Sequence, residues 1–505
     1  MDDEGLGTWL SRRRARSGDS VAIVYGDERV TYRELADRAD NIAAALNEIG
    51  ISRDHRVAYF GENSPSFLAT LFACASRGAV FVPINTRLAG PEIAHLLSDS
   101  GAEVLIHDGA LQGGLERVIA ESDDILGIPV DGSGDSLLSR AGRAGAVSPE
   151  ASHPDHPAAI IYTSGTTGRA KGAVLTHRNL TWVALNCIID YDVVSTDVAL
   201  MISPLFHVAS LGMGALPIVM KGGTLVLERG FDPGRALAQV ERHGVTMLSG
   251  VPTTFQMIAE HPDWETTDLT SLRKLTCGGS PAPRHIIDAY EARGLRFSQG
   301  YGMTEAAPSV SALSPAKTLA KAGSVGLPHF FTRLRVVTAK GKKARAGEVG
   351  EIEVAGPNVF AGYLDMPEAN EAAFTHDGWF RSGDQGYLDD EGYLFIVGRV
   401  KDMIISGAEN IYPAEIEALL ADMDGLTGAA VVGVPDERWG EVPWAVVTLA
   451  DGANLGTEEV RAFLEGKVAR YKLPKRVVVV DALPRTATGK VRKASVSAML
   501  EALQN

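Results

Sequence analysis

The apolar run Ala158–Ile161 leads without a break into Tyr162–Gly172, which reads YTSGTTGRAKG. A strand that ends in so dense a Ser/Thr/Gly loop holds its backbone turn open to a ligand. Gly165 and Gly168 let the main chain approach closely, Thr163, Ser164, Thr166 and Thr167 supply hydroxyl donors, and Lys171 supplies a cation. That inventory suits a phosphate. A Walker A loop is excluded, because it needs Lys followed at once by Ser or Thr, and Lys171 is followed by Gly172.

Around this loop the chain alternates helical and strand patterns up to about residue 395. Arg33–Ile49 has helical period, Arg56–Phe60 reads as a strand, Ser64–Arg77 as a helix and Ala79–Ile84 as an apolar strand. The rhythm predicts α/β layers with parallel strands. Between Gly347 and Gly398 it changes to short strands with Gly-rich turns, a small β-rich subdomain. Beyond Arg399 the pattern is a helix (Pro413–Asp422), strands (Ala429–Val434 and Trp444–Leu449), a helix (Thr457–Arg470) and a strand (Arg476–Asp481). The expected class is therefore α/β. A large N-terminal α/β domain (1–398) with its β-rich subdomain is followed by a small mobile α+β C-terminal domain (399–505), with a boundary at Val397–Lys401.

At 505 residues the chain exceeds one ordinary core. A net charge of -15 argues against a general nucleic-acid binder, and the basic run Arg12–Arg14 with Arg16 reads as a solvated helix face. Three scattered cysteines, Cys74, Cys187 and Cys277, exclude a disulfide framework and fit a reducing compartment. The acidic start MDDEGLGTWL is unlike a signal peptide, and Leu205–Met220 is too short and too polar for a transmembrane segment. A soluble, cytoplasmic protein is expected, with a homodimer among the assemblies open to it.

Four further motifs follow the loop in order. Gln299–Glu305 reads QGYGMTE, Trp379–Asp384 reads WFRSGD, Arg399 begins RVKDMIISGAEN, and Pro484–Lys490 reads PRTATGK. A tyrosine between glycines has no Cβ crowding either side and can lie against a purine. A lone carboxylate suits Mg2+, which bridges phosphate oxygens. From Val30 to Lys490 this series resembles the adenylate-forming enzymes, of the acyl-CoA synthetase and fatty-acid-CoA ligase type.

The resemblance implies ATP, Mg2+ and coenzyme A as cofactor and co-substrates and a small-molecule carboxylic acid as substrate. It places Tyr301 against adenine, with Gly279, Ser280, Gly300, Gly302 and Met303 also around the nucleotide. It places Thr304 at the α-phosphate, Glu305 and Thr163 at the metal, Asp384 at the ribose hydroxyls and Arg399 at the nucleotide. Lys401 falls at the hinge position. Lys490 follows a flexible glycine and implies a cation that stabilises charge growing on the α-phosphate when a carboxylate attacks. Ser406, Gly407, Trp439, Tyr471 and Lys475 match the coenzyme A side, although Leu473 stands where one relative's pattern has arginine.

For the acid, the resemblance points to His207, Val208, Leu211, Val251, Gly278, Ala306, Ala307 and Pro308, a small apolar lining in which His207 gates entry. No aspartate for a substrate amine stands near the first segment, and no arginine for a distal carboxylate stands at Ser298–Gln299. The stretch Val82–Gly101 is similar to bacterial fatty-acid-CoA ligases. A medium- or long-chain fatty acid is therefore expected, with benzoate- or cinnamate-like acids as the alternative. A non-catalytic nucleotide-binding homologue is the alternative of a different class.

Overall fold

Thr31 starts the helix Tyr32–Glu48 as its sequence dictates. The Thr31 hydroxyl accepts from the Glu34 amide at 3.2 Å, and the Glu34 carboxylate accepts from the Thr31 amide at 2.7 Å. This helix packs on Pro65–Ser76, whose apolar sequence leaves nearly every residue buried between that helix and the strand Val80–Ile84. The computed structural model describes residues 5–120, 125–131, 136–142, 145, 147–150, 152–163, 170–279, 282–406, 409–436, 438–486 and 490–504.

The fold is α/β, with a large N-terminal and a small C-terminal part. One sheet has seven strands, running from Gly362–Tyr363 through Lys171–Thr176, Pro157–Thr163, Val80–Ile84, Arg56–Phe60 and Val104–His107 to Leu126–Pro129. The other has thirteen, and its parallel centre includes Val198–Met201, Met247–Gly250, Lys274–Gly278 and Phe297–Tyr301. The β-rich stretch is no separate sheet. Ser324–Pro328 pairs antiparallel with Leu394–Arg399 and carries the thirteen-stranded sheet into it.

The C-terminal five-stranded sheet is covered on both faces, and strand alternation explains why. Along Leu426–Asp436, Ala430, Val432 and Val434 join Val446, Val496 and Leu500 in one core. Val431 joins Ala445, Val447, Ile416 and Val460 in the other. The helix Lys493–Gln504, absent from the sequence reading, closes the first of these cores.

Two expectations need correction. The helix from Thr457 ends at Leu464 rather than Arg470, because Glu465 is extended and Gly466 turns at φ +78°. The basic run on Trp9–Ser17 is not merely solvated. Arg14 pairs with Asp37 and Asp40 of the neighbouring helix, and Arg13 donates to the Lys221 carbonyl. Leu205–Met220 is broken into a π-helical turn, Ala209–Ala215, and the short helix Leu216–Lys221. Among the described residues no helix is long and apolar enough to cross a membrane.

Candidate active site

The strand ends Gly278 and Gly300–Tyr301 lie side by side in the middle of the large sheet. Gly302 is obligatory in the turn that follows, since a Cβ there would fall 1.3 Å from the Pro308 carbonyl oxygen. Tyr301 donates its phenolic hydrogen to Asp384 Oδ2 at 2.6 Å, and Arg399 Nε lies 3.0 Å from Asp384 Oδ1. Asp384 and Arg399 face each other across the pair Phe380–Leu388 and Leu394–Arg399, and Asp384 is only 6% exposed. Burial and the Asp384 charge push the Tyr301 phenol well above its ordinary pKa, so it stays a donor. A carboxylate with two oxygens retains acceptor capacity beyond these two partners.

Thr304 opens a 3-10 turn, Thr304–Ala306, that presents Glu305. Glu305 Oε1 accepts from Tyr363 Oη at 2.8 Å, and Lys171 Nζ stands 5.1 Å from the centre of the Tyr363 ring. Lys171 pairs with Thr163 across the hairpin that carries the Ser/Thr/Gly loop. The hairpin of the Ser/Thr/Gly loop and the run Gln299–Glu305 thus meet through Tyr363, which the sequence reading missed. No spacing signals it, because it arrives through the two-residue strand Gly362–Tyr363. Ser164, Gly165, Thr166, Thr167, Gly168 and Ser280 lie outside the described residues, as does Gly407. Among the described residues no cluster of three or more His, Cys, Asp or Glu side chains is disposed around a metal. One carboxylate and the Thr163 hydroxyl fit Mg2+ that arrives bound to phosphates, since this ion favours few protein ligands.

Lys490 comes from the C-terminal part. Its turn is closed by the Thr486 amide donating to the Lys490 carbonyl at 2.7 Å and the Lys490 amide donating to Thr486 Oγ1 at 3.2 Å. Lys490 Cε lies 3.6 Å from where a side chain at Gly279 would begin. Lys490 is exposed as a residue, yet protein crowds its ammonium enough to lower its pKa. Desolvation leads, Arg399 adds repulsion, and Asp384 and Glu305 oppose. Lys401 sits in the turn Val400–Asp402, directly after Arg399.

His207 precedes the π-helical turn, and its Nε2 is buried with no hydrogen-bond partner among the described residues. Burial first, then Arg87 and Lys490, push its imidazole down to about 4, so it is neutral near pH 7. Val208, Leu211, Ala306 and Ala307 are buried close by. Val251 Cγ1 lies 3.4 Å from a Cβ position at Gly279, and a Cβ at Gly212 would meet the Ala307 carbonyl at 2.7 Å. The peptide from Ala307 to Pro308 is cis.

On the outer side, Trp439 is 41% and Tyr471 42% exposed, which removes core packing as a reason for the tryptophan. The Trp439 amide donates to Asp436 Oδ1 at 3.0 Å, and Lys475 Nζ lies 3.5 Å from Asp436 Oδ2. Ser406 pairs with Gly440 of the same hairpin. Tyr471 stands on a separate turn, Arg470–Lys472, and Leu473 is buried in the core.

Residues 10–364 match the family model of the AMP-binding enzymes, and residues 415–490 match that of the AMP-binding enzyme C-terminal domain. The chain belongs to the AMP-binding enzyme family. A feruloyl-CoA synthase of Amycolatopsis sp is 47% identical over 98% of this chain and 99% of that one. A long-chain-fatty-acid–CoA ligase, FadD13 of Mycobacterium tuberculosis, is 37% identical over 96% of each. The ATP-bound structure of MatB from Rhodopseudomonas palustris superposes with a TM-score of 0.92 at 32% identity and full coverage of both chains. This AMP-binding enzyme is an acid–thiol ligase of the adenylate-forming, acyl-CoA synthetase type.

Proposed function

We propose that this AMP-binding enzyme converts an aryl-substituted carboxylic acid into its CoA thioester. ATP, with Mg2+, and coenzyme A are its co-substrates. The observation that carries the aromatic assignment is a row of small residues across three neighbouring strands. Strand register sets Gly278, Gly300 and Ala312 in one lateral row on one face of the sheet. Three residues with no side chain beyond a methyl leave a flat strip that fits a planar ring. The feruloyl-CoA synthase, the more similar of the two relatives, supports the same choice over the fatty acid expected from sequence.

The reading assigns two half-reactions. The acid carboxylate attacks the α-phosphorus, the bond to pyrophosphate breaks, and an acyl-adenylate forms. The thiol of coenzyme A then attacks the acyl carbonyl, loses its proton, and AMP leaves. Tyr301, Asp384 and Arg399 hold the nucleoside, while Glu305 and Thr163 would hold Mg2+, which would supply positive charge to the phosphates. Lys490 stabilises negative charge on the α-phosphate during the first step, where a fixed cation is worth most. The neutral His207 closes the acid side without adding a second positive charge. We further assign residues 399–505 as a unit that pivots at Lys401 to exchange Lys490 for the face bearing Ser406, Trp439, Tyr471 and Lys475.

Pyrophosphate release across cinnamates, benzoates and C8–C16 fatty acids, with the CoA product confirmed by mass, tests the substrate class. The aromatic reading requires a higher kcat/KM for at least one aryl acid. A clear preference for the aliphatic series would restore the fatty-acid assignment.

A further inference from the structure

Beside Gly300 stand polar groups that the two half-reactions do not use. A side chain on Gly300 would begin 3.3 Å from Tyr191 Oη, so this hydroxyl lies close against the bare Gly300 backbone in the row of small residues. Tyr191 Oη is buried and has no hydrogen-bond partner among the described residues. Its ring stands edge-on to His329, with centroids 5.8 Å apart. His329 Nδ1 lies 2.5 Å from Asp190 Oδ2, while its Nε2 is likewise buried without a partner among the described residues. A buried hydroxyl left unpaired is costly, and two such atoms on touching rings beside a substrate pocket call for a polar ligand group.

We propose that Tyr191 Oη, steadied by the Asp190–His329 pair, determines specificity at the distal end of the acyl pocket by hydrogen bonding a hydroxyl on the ring of the aryl acid. The proposal rests on the aromatic reading above and deepens it. Burial and the neighbouring Cys187 and Asp190 hold the phenol of Tyr191 protonated, so it donates to the substrate oxygen. A site built to bond a hydroxyl discriminates strongly against the analogue that lacks it, because its own polar group is then left unpaired. Asp190 and His329 act as positioning residues, fixing the ring against which Tyr191 stands.

The test uses the full chain, wild type and Tyr191→Phe, with 4-hydroxycinnamate and cinnamate as probes and pyrophosphate release as readout. The wild type is expected to favour the hydroxylated acid by about tenfold or more in kcat/KM. Tyr191→Phe should lose about that factor on 4-hydroxycinnamate and hold cinnamate within about twofold, so that the ratio approaches one. An equal loss on both acids, or a wild-type ratio already near one, overturns the proposal while leaving the aromatic reading intact. Turnover of neither acid, with octanoate accepted, overturns the aromatic reading and this inference with it. The wild-type ratio is decisive on its own should the variant fold poorly.

Discussion

Tyr363 donates to Glu305 Oε1 at 2.8 Å while its ring lies under the Lys171 ammonium, 5.1 Å from Nζ to the ring centre. One aromatic side chain therefore joins the hairpin of the Ser/Thr/Gly loop to the carboxylate assigned to the metal. Lys171 and Glu305 carry opposite charges and do not touch directly. The phenol orients the carboxylate, and the ring face holds the cation in place.

Tyr363→Phe keeps the ring and removes the hydrogen bond. A bond to a charged acceptor is worth about 1.5–3 kcal/mol, and water reaching the half-buried Glu305 recovers part of it. Adenylation should fall by roughly tenfold, expressed as a higher KM for MgATP with the KM of the acid unchanged. Steady-state pyrophosphate release at varied MgATP checks this. A rise confined to the acid KM would place Tyr363 elsewhere in the reaction.

Gly302→Ala should abolish adenylation and lower the thermal midpoint. A Cβ 1.3 Å from the Pro308 oxygen forces the turn open, and that turn also fixes Tyr301 and Thr304. Differential scanning fluorimetry with and without ATP measures both effects. Wild-type ATP-induced stabilisation in the variant would mean that the turn does not position the nucleotide.

His177, buried, and His207, half-buried, predict an acid-side loss of stability. His207 and His177 are both pushed down to about 4, chiefly by burial, whereas an unfolded histidine titrates near 6.5. The unfolded chain therefore binds more protons between those values. Each residue contributes stability that is full above pH 6.5 and lost as pH falls toward 4, of order 3 kcal/mol. Urea midpoints measured from pH 7 to pH 4 should show a shallower decline for His207→Asn than for the wild type. Parallel curves would mean that His207 is not held neutral by the fold.

What could be read from the chain was what is local along it. The loop Tyr162–Gly172, the run Gln299–Glu305 and the strands Arg56–Phe60 and Val80–Ile84 each carry their chemistry or their period within a few residues. Tyr363 joins Glu305 from 58 positions away through a two-residue strand, and Tyr191 meets His329 only through packing. Neither pairing leaves a trace in spacing. The helix from Thr457 was drawn too long because its periodicity masked the stop at Gly466. The acid was harder still. The row of small residues depends on the register of three strands rather than on any motif, so only the fold aligns Gly278, Gly300 and Ala312.

We assign Lys490, poised beside Gly279 and near Glu305 and Asp384, to the first half-reaction alone. Lys490→Ala is to be assayed separately for pyrophosphate release from acid and ATP, and for CoA-thioester formation from supplied acyl-adenylate. Adenylation should fall by about 100-fold or more, as when a preorganised charge is removed from a transition state, with thioester formation within a few-fold of wild type. Equal losses in both half-reactions would contradict the account.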